Sequence, residues 1–243
     1  MKILETQGSV LVTDLVSKFD VSEMTVRRDL DLLERKGLLR RVHGGAISDL
    51  GRSYEPPFLT RSTTNQAEKE RIGMLAAELI HSGDSITLDV GTSTLEVARK
   101  ITDKQNLTIL TPCFQIAGLL CEKPGIRLIL TGGILRPGEL SMVGHLAERV
   151  FEEFHVDKLF IAAAGVDFET GLTEYNVEDT QVKKAMLQSA KQVILVADAS
   201  KFNRVAFTTI APLDVVNTVI TDKSIDPSIV TRLNDLSINV MLA

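Results

Sequence analysis

The fold of this chain is constrained most strongly by an alternation of short apolar runs with helical patterns that begins at residue 67. The apolar runs are continuous rather than interrupted by polar residues, as strands buried on both faces of a sheet require. Strands that alternate with helices form a mostly parallel sheet with helices on both sides, so we predict an α/β domain over residues 67–243. The predicted strands are 85–89, 107–111, 127–131, 158–163, 192–197 and 215–221, and the predicted helices are 68–80, 95–101, 114–122, 146–154, 177–190 and 227–236.

A second, smaller domain is predicted over residues 1–47. Ser22 is a good N-cap, because its hydroxyl can accept a hydrogen bond from a free amide of the first turn. Three apolar residues then recur on one helical face: Val26, Leu30 and Leu33. Gly37 is suited to end this helix, and a shorter helical pattern over residues 9–19 precedes it across a tight turn. Two short helices joined in this way predict a helix-turn-helix.

The exposed side of the second helix and the basic hairpin after it supply residues suited to DNA. The start of a recognition helix reads base edges, and basic side chains beside it bind phosphates. A solvated amphipathic helix with surface arginines is the alternative, but the cap, the apolar face, the helix stop and the basic hairpin all agree with a winged helix-turn-helix that binds double-stranded operator DNA. The predicted DNA-binding residues are Ser22, Met24, Thr25, Arg27, Arg28, Arg40, Arg41 and His43.

The distribution of charge explains how a chain of net charge −5 can bind DNA. Residues 1–45 carry eight Lys and Arg against seven Asp and Glu, while residues 46–243 carry 19 against 25. A local basic face on an acidic protein gives modest non-specific affinity, so tight binding requires two or more such domains acting together. We therefore predict a homo-oligomer, a dimer or a tetramer.

Composition indicates a soluble globular protein, with 44 % hydrophobic and 24 % charged residues. No apolar run approaches the ~18 residues of a membrane span and no signal-peptide pattern is present, so we predict a cytoplasmic protein without a membrane partner. Cys113 and Cys121 form no C-x-x-C motif and the four histidines are scattered, so no disulfide, metal site or cofactor is predicted.

Residues 48–66, with Gly51, the Pro56-Pro57 pair and many Ser and Thr, are predicted to be a linker.

A candidate ligand site lies where the first predicted strand ends, at residues 89–94, Asp-Val-Gly-Thr-Ser-Thr. Gly91 permits a tight turn, and three hydroxyl side chains lead into a helix whose N-terminal amides suit a phosphate. The site is neither a P-loop nor a dinucleotide fingerprint, and a plain N-cap cluster is an equal alternative from local sequence alone. Two other strand ends favour a ligand site: the Thr-Gly-Gly loop at residues 131–133, and Lys201, a cation suited to an anionic ligand.

These motifs resemble the DeoR family of bacterial transcriptional repressors. The N-terminal resemblance is carried by residues 22–30, 33–34 and 41–46, and the remainder, in order and spacing, by residues 89–94, 130–133, 143–144, 165–167 and 197–202. The resemblance implies a sensor domain with a fold shared with ribose-5-phosphate isomerase, and a phosphorylated sugar as effector.

The resemblance also implies roles for individual residues. The phosphate would be held by Gly91, Thr92, Ser93, Thr94 and Lys201. The sugar hydroxyls would be bound by Asp89, Thr131, Gly132, Gly133, Asp167 and Glu178. Gly144 would let a neighbouring loop pack close to the site.

Two functions remain open on the sequence. The first is a repressor of a carbohydrate-catabolism operon that a phosphorylated sugar releases from DNA. The alternative is an active phosphosugar isomerase fused to a DNA-binding domain, with Asp167, Glu178 and Lys201 as candidates for the carboxylate base and the enediolate stabiliser. We favour the regulator, because Ala164 and Phe168 stand where the related isomerases carry further acids, and because a DNA-binding domain gives ligand sensing an output. A nucleic-acid protein without a ligand would leave the strand-end loops unexplained.

Overall fold

The computed structural model describes residues 3–4, 9–35, 38–47 and 51–243. The chain folds into two compact units, Met1–Tyr54 and Glu55–Ala243, called here the N-terminal and C-terminal units. The predicted helix stop at Gly37 and the first residues of the predicted linker, 48–50, lie outside the described residues.

The N-terminal unit is a winged helix-turn-helix, as the sequence predicts. The β2–β3 hairpin forms the wing, and the antiparallel sheet has the order β1-β3-β2. Its elements are β1 (Ser9–Leu11), α1 (Val12–Phe19), α2 (Glu23–Arg35), β2 (Arg40–Val42) and β3 (Gly45–Ile47).

The first helix is shorter than predicted, because residues 9–11 form strand β1. This strand pairs closely with β3 at Gly45, where a Cβ would overlap the carbonyl oxygen of Val10. The prediction of a helix over residues 9–19 was therefore wrong for its first three residues. It is confirmed from Val12 onward.

Helix α2 begins and packs as predicted. The Ser22 hydroxyl accepts a hydrogen bond from the amide of Thr25 at 3.2 Å, which satisfies one of the free amides of the first turn. Val26 and Leu30 are buried, and Leu33 packs against the same core. The other members of this core are Ile3, Leu4, Val10, Val12, Leu15, Val16, Leu39 and Ala46.

The C-terminal unit is built on a seven-stranded sheet in which every neighbouring pair is parallel, with the order β15-β14-β12-β9-β4-β5-β6. The strands of the unit are β4 (Ser85–Leu88), β5 (Leu107–Thr111), β6 (Ile126–Leu130), β7 (Ile134–Arg136), β8 (Ser141–Val143), β9 (Val156–Ile161), β10 (Gly165–Asp167), β11 (Gly171–Glu174), β12 (Ala190–Val196), β13 (Thr208–Ala211), β14 (Thr218–Thr221) and β15 (Asn239–Leu242). The helices are α3 (Phe58–Thr63), α4 (Gln66–Glu78), α5 (Thr92–Arg99), α6 (Phe114–Leu120), α7 (His145–Glu153), α8 (Val177–Ser189) and α9 (Pro227–Asp235).

Helices cover both faces of this sheet, which explains why its strands are continuously apolar. Helices α4, α5 and α6 share one hydrophobic core with side chains such as Ile86 and Phe160. Helices α7, α8 and α9 share the other core with Leu159 and Ile161. Successive residues of β9 therefore enter opposite cores, and the predicted α/β class is confirmed.

Several elements were not predicted from the sequence. Strand β15, the β7–β8 hairpin and the β10-β11-β13 sheet consist of strands of three or four residues, too short to show a pattern. Helix α3 lies within the predicted linker and directly follows Pro57. The chain from Glu55 onward therefore belongs to the C-terminal unit. No described helix is both long and apolar enough to cross a membrane.

The order of the strands determines where a ligand can bind. After β4, the chain adds β5 and β6 on one side of it, and β9 and β12 then pair on the other side. The direction of the connections reverses between β4 and β9, and a crevice opens at the carboxyl ends of strands beside such a switch point.

Candidate anion site and nucleic-acid interface

Three neighbouring strands, β4, β9 and β12, end at one cleft, which we call the strand-end cleft. Its cavity volume is about 30 Å³. It brings together Gly91, Thr92, Ser93 and Lys201, four of the residues predicted to hold a phosphate. The full lining is Arg61, Val90, Gly91, Thr92, Ser93, Ala162, Ala163, Ala164, Glu174, Val196, Ala197 and Lys201.

The N-terminus of α5 forms one wall of the strand-end cleft. Gly91 precedes the helix without a side-chain cap, so the amides of the first turn lack intrahelical partners. A Cβ at Gly91 would lie 2.9 Å from the Cβ of Ala162, so glycine allows the loops after β4 and β9 to approach. Thr92 and Ser93 are only 8 % and 6 % exposed, and their hydroxyls form no hydrogen bond within the described residues. These donors face the cleft without a protein partner.

Thr94 differs from the two residues before it. Its hydroxyl donates to the carbonyl oxygen of Gly91 at 3.0 Å, and the residue is fully buried outside the cleft lining. Thr94 therefore stabilises the first turn of α5. The phosphate contact predicted for Thr94 stays a prediction, and its side chain does not line this cleft.

Lys201 supplies a cation on the opposite wall. It ends a 3-10 turn, Ala199–Lys201, that begins where Asp198 accepts a hydrogen bond from the amide of Ser200 at 3.1 Å. The ammonium group forms no hydrogen bond or ion pair within the described part of the chain. Burial lowers the pKa of Lys201, and the nearby arginines Arg204 and Arg61 lower it further against the opposing effect of Asp198. A bound anion would offset both effects.

Arg61 is a second cation at the strand-end cleft, and the sequence did not indicate it because it lies in the predicted linker. Its Nη2 forms ion pairs with Glu139 and, at 3.3 Å, with Glu55. Its Nε donates to the carbonyl oxygen of Pro56 at 3.0 Å. No partner of Nη1 is found among the described residues, so this end of the guanidinium remains a donor.

A buried ion pair lies beneath the cleft. Lys183 pairs with Asp89 and lies 3.4 Å from Glu174, and its Nζ donates to the carbonyl oxygen of Ala162 at 2.9 Å. Burial lowers the pKa of Lys183, but the two carboxylates more than offset it, so the pKa is raised above that of an ordinary lysine. Glu174 also lines the cleft and is therefore a carboxylate that a ligand can reach.

The buried pair includes Asp89, which is 1 % exposed. Its Oδ1 accepts a hydrogen bond from the amide of Val90 at 2.7 Å, and its Oδ2 accepts one from the amide of Ala162 at 2.9 Å. With Lys183 as a third partner, Asp89 holds the loops after β4 and β9 together. The contact with sugar hydroxyls predicted for Asp89 stays a prediction.

The other residues predicted to bind hydroxyls do not line the strand-end cleft. Residues 131–133 follow β6, the edge strand, which is two strands away from β4, and Gly144 precedes α7. Asp167 accepts hydrogen bonds from the amides of Glu169 and Thr170 at 3.0 and 2.8 Å in the turn between β10 and β11, and these bonds lower its pKa. The residues absent from the lining are Thr131, Gly132, Gly133, Gly144, Asp167 and Glu178.

Two of those residues matter to the isomerase alternative. Asp167 and Glu178 are its candidate carboxylate bases, and neither belongs to the cleft that contains Lys201. Glu178 is exposed in the first turn of α8. Within the described residues, no group of three or more His, Cys, Asp or Glu could hold a metal ion, and Cys113 and Cys121 are free thiols.

The outer face of α2 is the candidate nucleic-acid interface. Met24 is 80 % exposed, and Thr25 and Arg28 are exposed beside it. Arg27 is exposed but pairs with Glu23 at 2.5 Å, one turn earlier. The helix thus presents polar and basic groups to solvent near its N-terminus, where base edges are read.

The wing is attached to α2 through Arg41. Its Nη1 donates to Asp31 at 2.8 Å and to the carbonyl oxygen of Arg27 at 3.0 Å, and its amide donates to Glu34 at 2.6 Å. Arg40 and His43 are exposed on the wing. Arg41 therefore orients the wing beside α2, a role that the sequence did not indicate.

Comparison with known protein families covers both units. The DeoR C terminal sensor domain matches residues 64–223, and the DeoR-like helix-turn-helix domain matches residues 1–50. Ribose 5-phosphate isomerase A of Methanocaldococcus jannaschii aligns over 57 % of this chain and 55 % of that chain, with 19 % identity and a TM-score of 0.43, a likeness too weak to support an argument.

Full-length relatives give the same result. The HTH-type transcriptional regulator YulB of Bacillus subtilis is 39 % identical over 99 % of this chain and 93 % of its own length. The glycerol-3-phosphate regulon repressor of Escherichia coli K12 is 33 % identical over 100 % of this chain and 96 % of its own. The transcriptional repressor AccR of Agrobacterium fabrum is 35 % identical over 91 % and 86 %. The chain therefore belongs to the DeoR family, whose members are helix-turn-helix transcriptional regulators rather than enzymes.

Proposed function

We propose that this protein represses a carbohydrate-catabolism operon and that a phosphorylated sugar, bound in the strand-end cleft, releases it from operator DNA. The observation that carries the proposal is the set of unpaired donors in the cleft. Thr92 and Ser93 offer hydroxyls and amides that form no hydrogen bond among the described residues, and the ammonium group of Lys201 forms no hydrogen bond or ion pair there. A helix N-terminus with neighbouring hydroxyl groups and a cation at the same cleft suits a ligand with several acceptor oxygens.

A phosphate group fits these donors. Helix N-termini favour negative charge, and charge-assisted hydrogen bonds are roughly twice as strong as neutral ones. Glu174 lines the same cleft and can accept hydrogen bonds from hydroxyl groups, which would place the sugar beside it. We infer that Glu174 takes the hydroxyl-binding role that the sequence assigned to Asp89.

The names of relatives support an effector of this class. One relative is a glycerol-3-phosphate regulon repressor, a name that joins a small phosphorylated polyol to repression. The effector of this chain has to be identified by measurement, because that name describes the relative.

The N-terminal unit is the part of the chain that we propose to bind DNA. We propose that Thr25 and Arg28 read base edges, that Ser22, Met24 and Arg27 contribute near the start of α2, and that the basic residues of the wing, Arg40, Arg41 and His43, contact phosphates. A single unit with few cations binds weakly, so we propose a homo-oligomer that associates through the C-terminal unit and places two or more N-terminal units on one operator.

A thermal-shift screen of sugar phosphates and their unphosphorylated counterparts tests the proposal. A ligand of the native state at a hundredfold excess over its Kd stabilises the protein by about 2.7 kcal/mol. We expect at least one phosphorylated sugar to raise the melting temperature and to release operator DNA, while its free sugar does neither. Stabilisation by the free sugar to the same extent would contradict a phosphate site.

A further inference from the structure

We propose that Arg61 is a ligand-binding residue of the strand-end cleft, and that its bond to the bound anion fixes helix α3 onto the C-terminal unit. Helix α3 would then be the segment through which the effector acts on the chain that leads to the N-terminal unit. This inference rests on the proposed function, because it requires an anion in the cleft.

Helix α3 is weakly held by apolar contacts. It has six residues and none of them is buried, and Leu59 is 77 % exposed. Phe58 alone of its residues packs against a hydrophobic core. A helix this short has little stability of its own, so its attachment depends on polar contacts.

Two cations provide that attachment. Arg61 pairs with Glu55 and with Glu139, the latter on the turn between β7 and β8. Lys69, on α4, donates to the carbonyl oxygens of Arg61 and Thr64 at 2.5 and 2.7 Å and thereby caps the end of α3. These bonds are few, so one additional bond changes the attached fraction of α3 measurably.

The strand-end cleft can supply that additional bond. Arg61 lines the cleft together with Lys201 and the start of α5, and its Nη1 has no partner among the described residues. An anion held by Thr92 and Lys201 can accept from Nη1 while Nη2 keeps Glu55 and Glu139. No existing contact has to break, so the anion favours the attached arrangement over any other.

The attachment of α3 can be followed at the backbone amides of residues 57–64. The amide of Arg61 donates to the carbonyl oxygen of Pro57 at 3.0 Å, and the amide of Thr64 donates to that of Thr60 at 3.2 Å. Hydrogen exchange of these amides reports whether α3 is attached and folded. It measures the response of α3 directly and does not depend on knowing the natural effector or the operator.

The test is hydrogen exchange of the full chain with and without saturating inorganic phosphate, at constant ionic strength with chloride as the reference. Phosphate should slow exchange in residues 57–64 severalfold in the wild type. In Arg61→Gln and Arg61→Lys, phosphate affinity measured by calorimetry should fall about tenfold, as expected for one charge-assisted bond. At saturating phosphate, the exchange rate of α3 in both variants should stay unchanged.

Arg61→Lys keeps a positive charge that can pair with Glu139 but removes the planar guanidinium with its several donors. It therefore tests the bond to the ligand while an ion pair with Glu139 can still hold α3. Arg71→Gln is the matched control, because Arg71 is exposed on α4, pairs with Glu68 and lies outside the cleft. Phosphate binding with unchanged exchange in residues 57–64, or a phosphate affinity in both Arg61 variants equal to that of the wild type, would overturn this inference and leave the proposed function intact. Failure of inorganic phosphate and of every sugar phosphate to bind the wild type would overturn both.

Discussion

The two candidate binding regions hold their charged groups in opposite ways. On α2, the side chains of Arg27 and Glu23 are 57 % and 58 % exposed, so their pairing is screened by water and salt. Beneath the strand-end cleft, the side chains of Lys183 and Asp89 are 3 % and 1 % exposed. Removing one member of a buried pair leaves an uncompensated charge.

This difference separates recognition from stability in the two units. The face of α2 can exchange one polar partner for another, including a base or a phosphate, at little cost to the fold. The floor of the cleft is fixed by this pair, and a ligand in the cleft would meet groups such as Lys201 that are already in place. Substitutions should therefore affect stability beneath the cleft, ligand affinity within it, and DNA recognition on α2.

The largest effect is expected from Lys183→Met. It leaves the buried carboxylates of Asp89 and Glu174 without their cation, so the free energy of unfolding should fall by about 3–5 kcal/mol. Denaturant titration measures this loss. Lys184→Met is the control, because Lys184 is the exposed neighbour on α8. Similar stabilities for the two variants would contradict the comparison.

Lys201→Ala should act on the ligand instead. Because the ammonium group forms no hydrogen bond or ion pair among the described residues, the free energy of unfolding should change little. Affinity for the phosphorylated sugar should fall by on the order of 1.5–3 kcal/mol, the contribution of a hydrogen bond to a charged group. Calorimetry with the ligand from the thermal-shift screen measures this, with Lys191→Ala, an exposed lysine on β12, as the control. Unchanged affinity would remove Lys201 from the phosphate site.

On the N-terminal unit, Arg28→Ala should cost roughly 1–3 kcal/mol of operator affinity and relax the preference at particular base pairs. Arg40→Ala, on the exposed surface of the wing, should weaken binding to all DNA sequences alike and flatten the dependence of affinity on salt. Fluorescence anisotropy with operator and random DNA at several salt concentrations separates the two outcomes. Equal losses on both DNAs for Arg28→Ala would contradict base reading by that residue.

The smallest effect is expected from Glu23→Ala, which breaks the exposed pair with Arg27. An exposed pair one helical turn apart contributes about 0.3–0.5 kcal/mol, so the free energy of unfolding should change by no more than that. Denaturant titration measures this change, which is compared with the loss in free energy of unfolding caused by Lys183→Met. A loss above about 2 kcal/mol would show that the surface of α2 is more tightly constrained than its exposure indicates.

The two regions also differ in how far the sequence predicts them. The signals for α2 are local, because the cap at Ser22 and the apolar face of Val26 and Leu30 lie within one helix. The sheet was predictable for the same reason, since each buried strand carries its own apolar run. Residues 9–11 were misassigned because their pairing partner, β3, lies more than thirty residues away.

The strand-end cleft depends on the order of the strands, which no local pattern gives. Thr131 follows a strand at the edge of the main sheet and does not line the strand-end cleft together with Lys201. Arg61 lies in a segment rich in Pro, Ser and Thr that was predicted to be a linker, so it was not predicted as a site residue. Lys183 lies four residues after Asp179, a spacing typical of an exposed helical ion pair. Its pairing with Asp89 results from tertiary packing, which this spacing does not indicate.

The central claim is that the strand-end cleft controls DNA binding, and linkage provides its most direct test. The affinity of the sugar phosphate identified by the screen is measured by calorimetry with and without saturating operator DNA. An effector that weakens operator binding tenfold must itself bind tenfold less tightly to the operator complex, a difference of about 1.4 kcal/mol. We expect that weakening. An affinity that operator DNA leaves unchanged would show that the ligand does not regulate DNA binding.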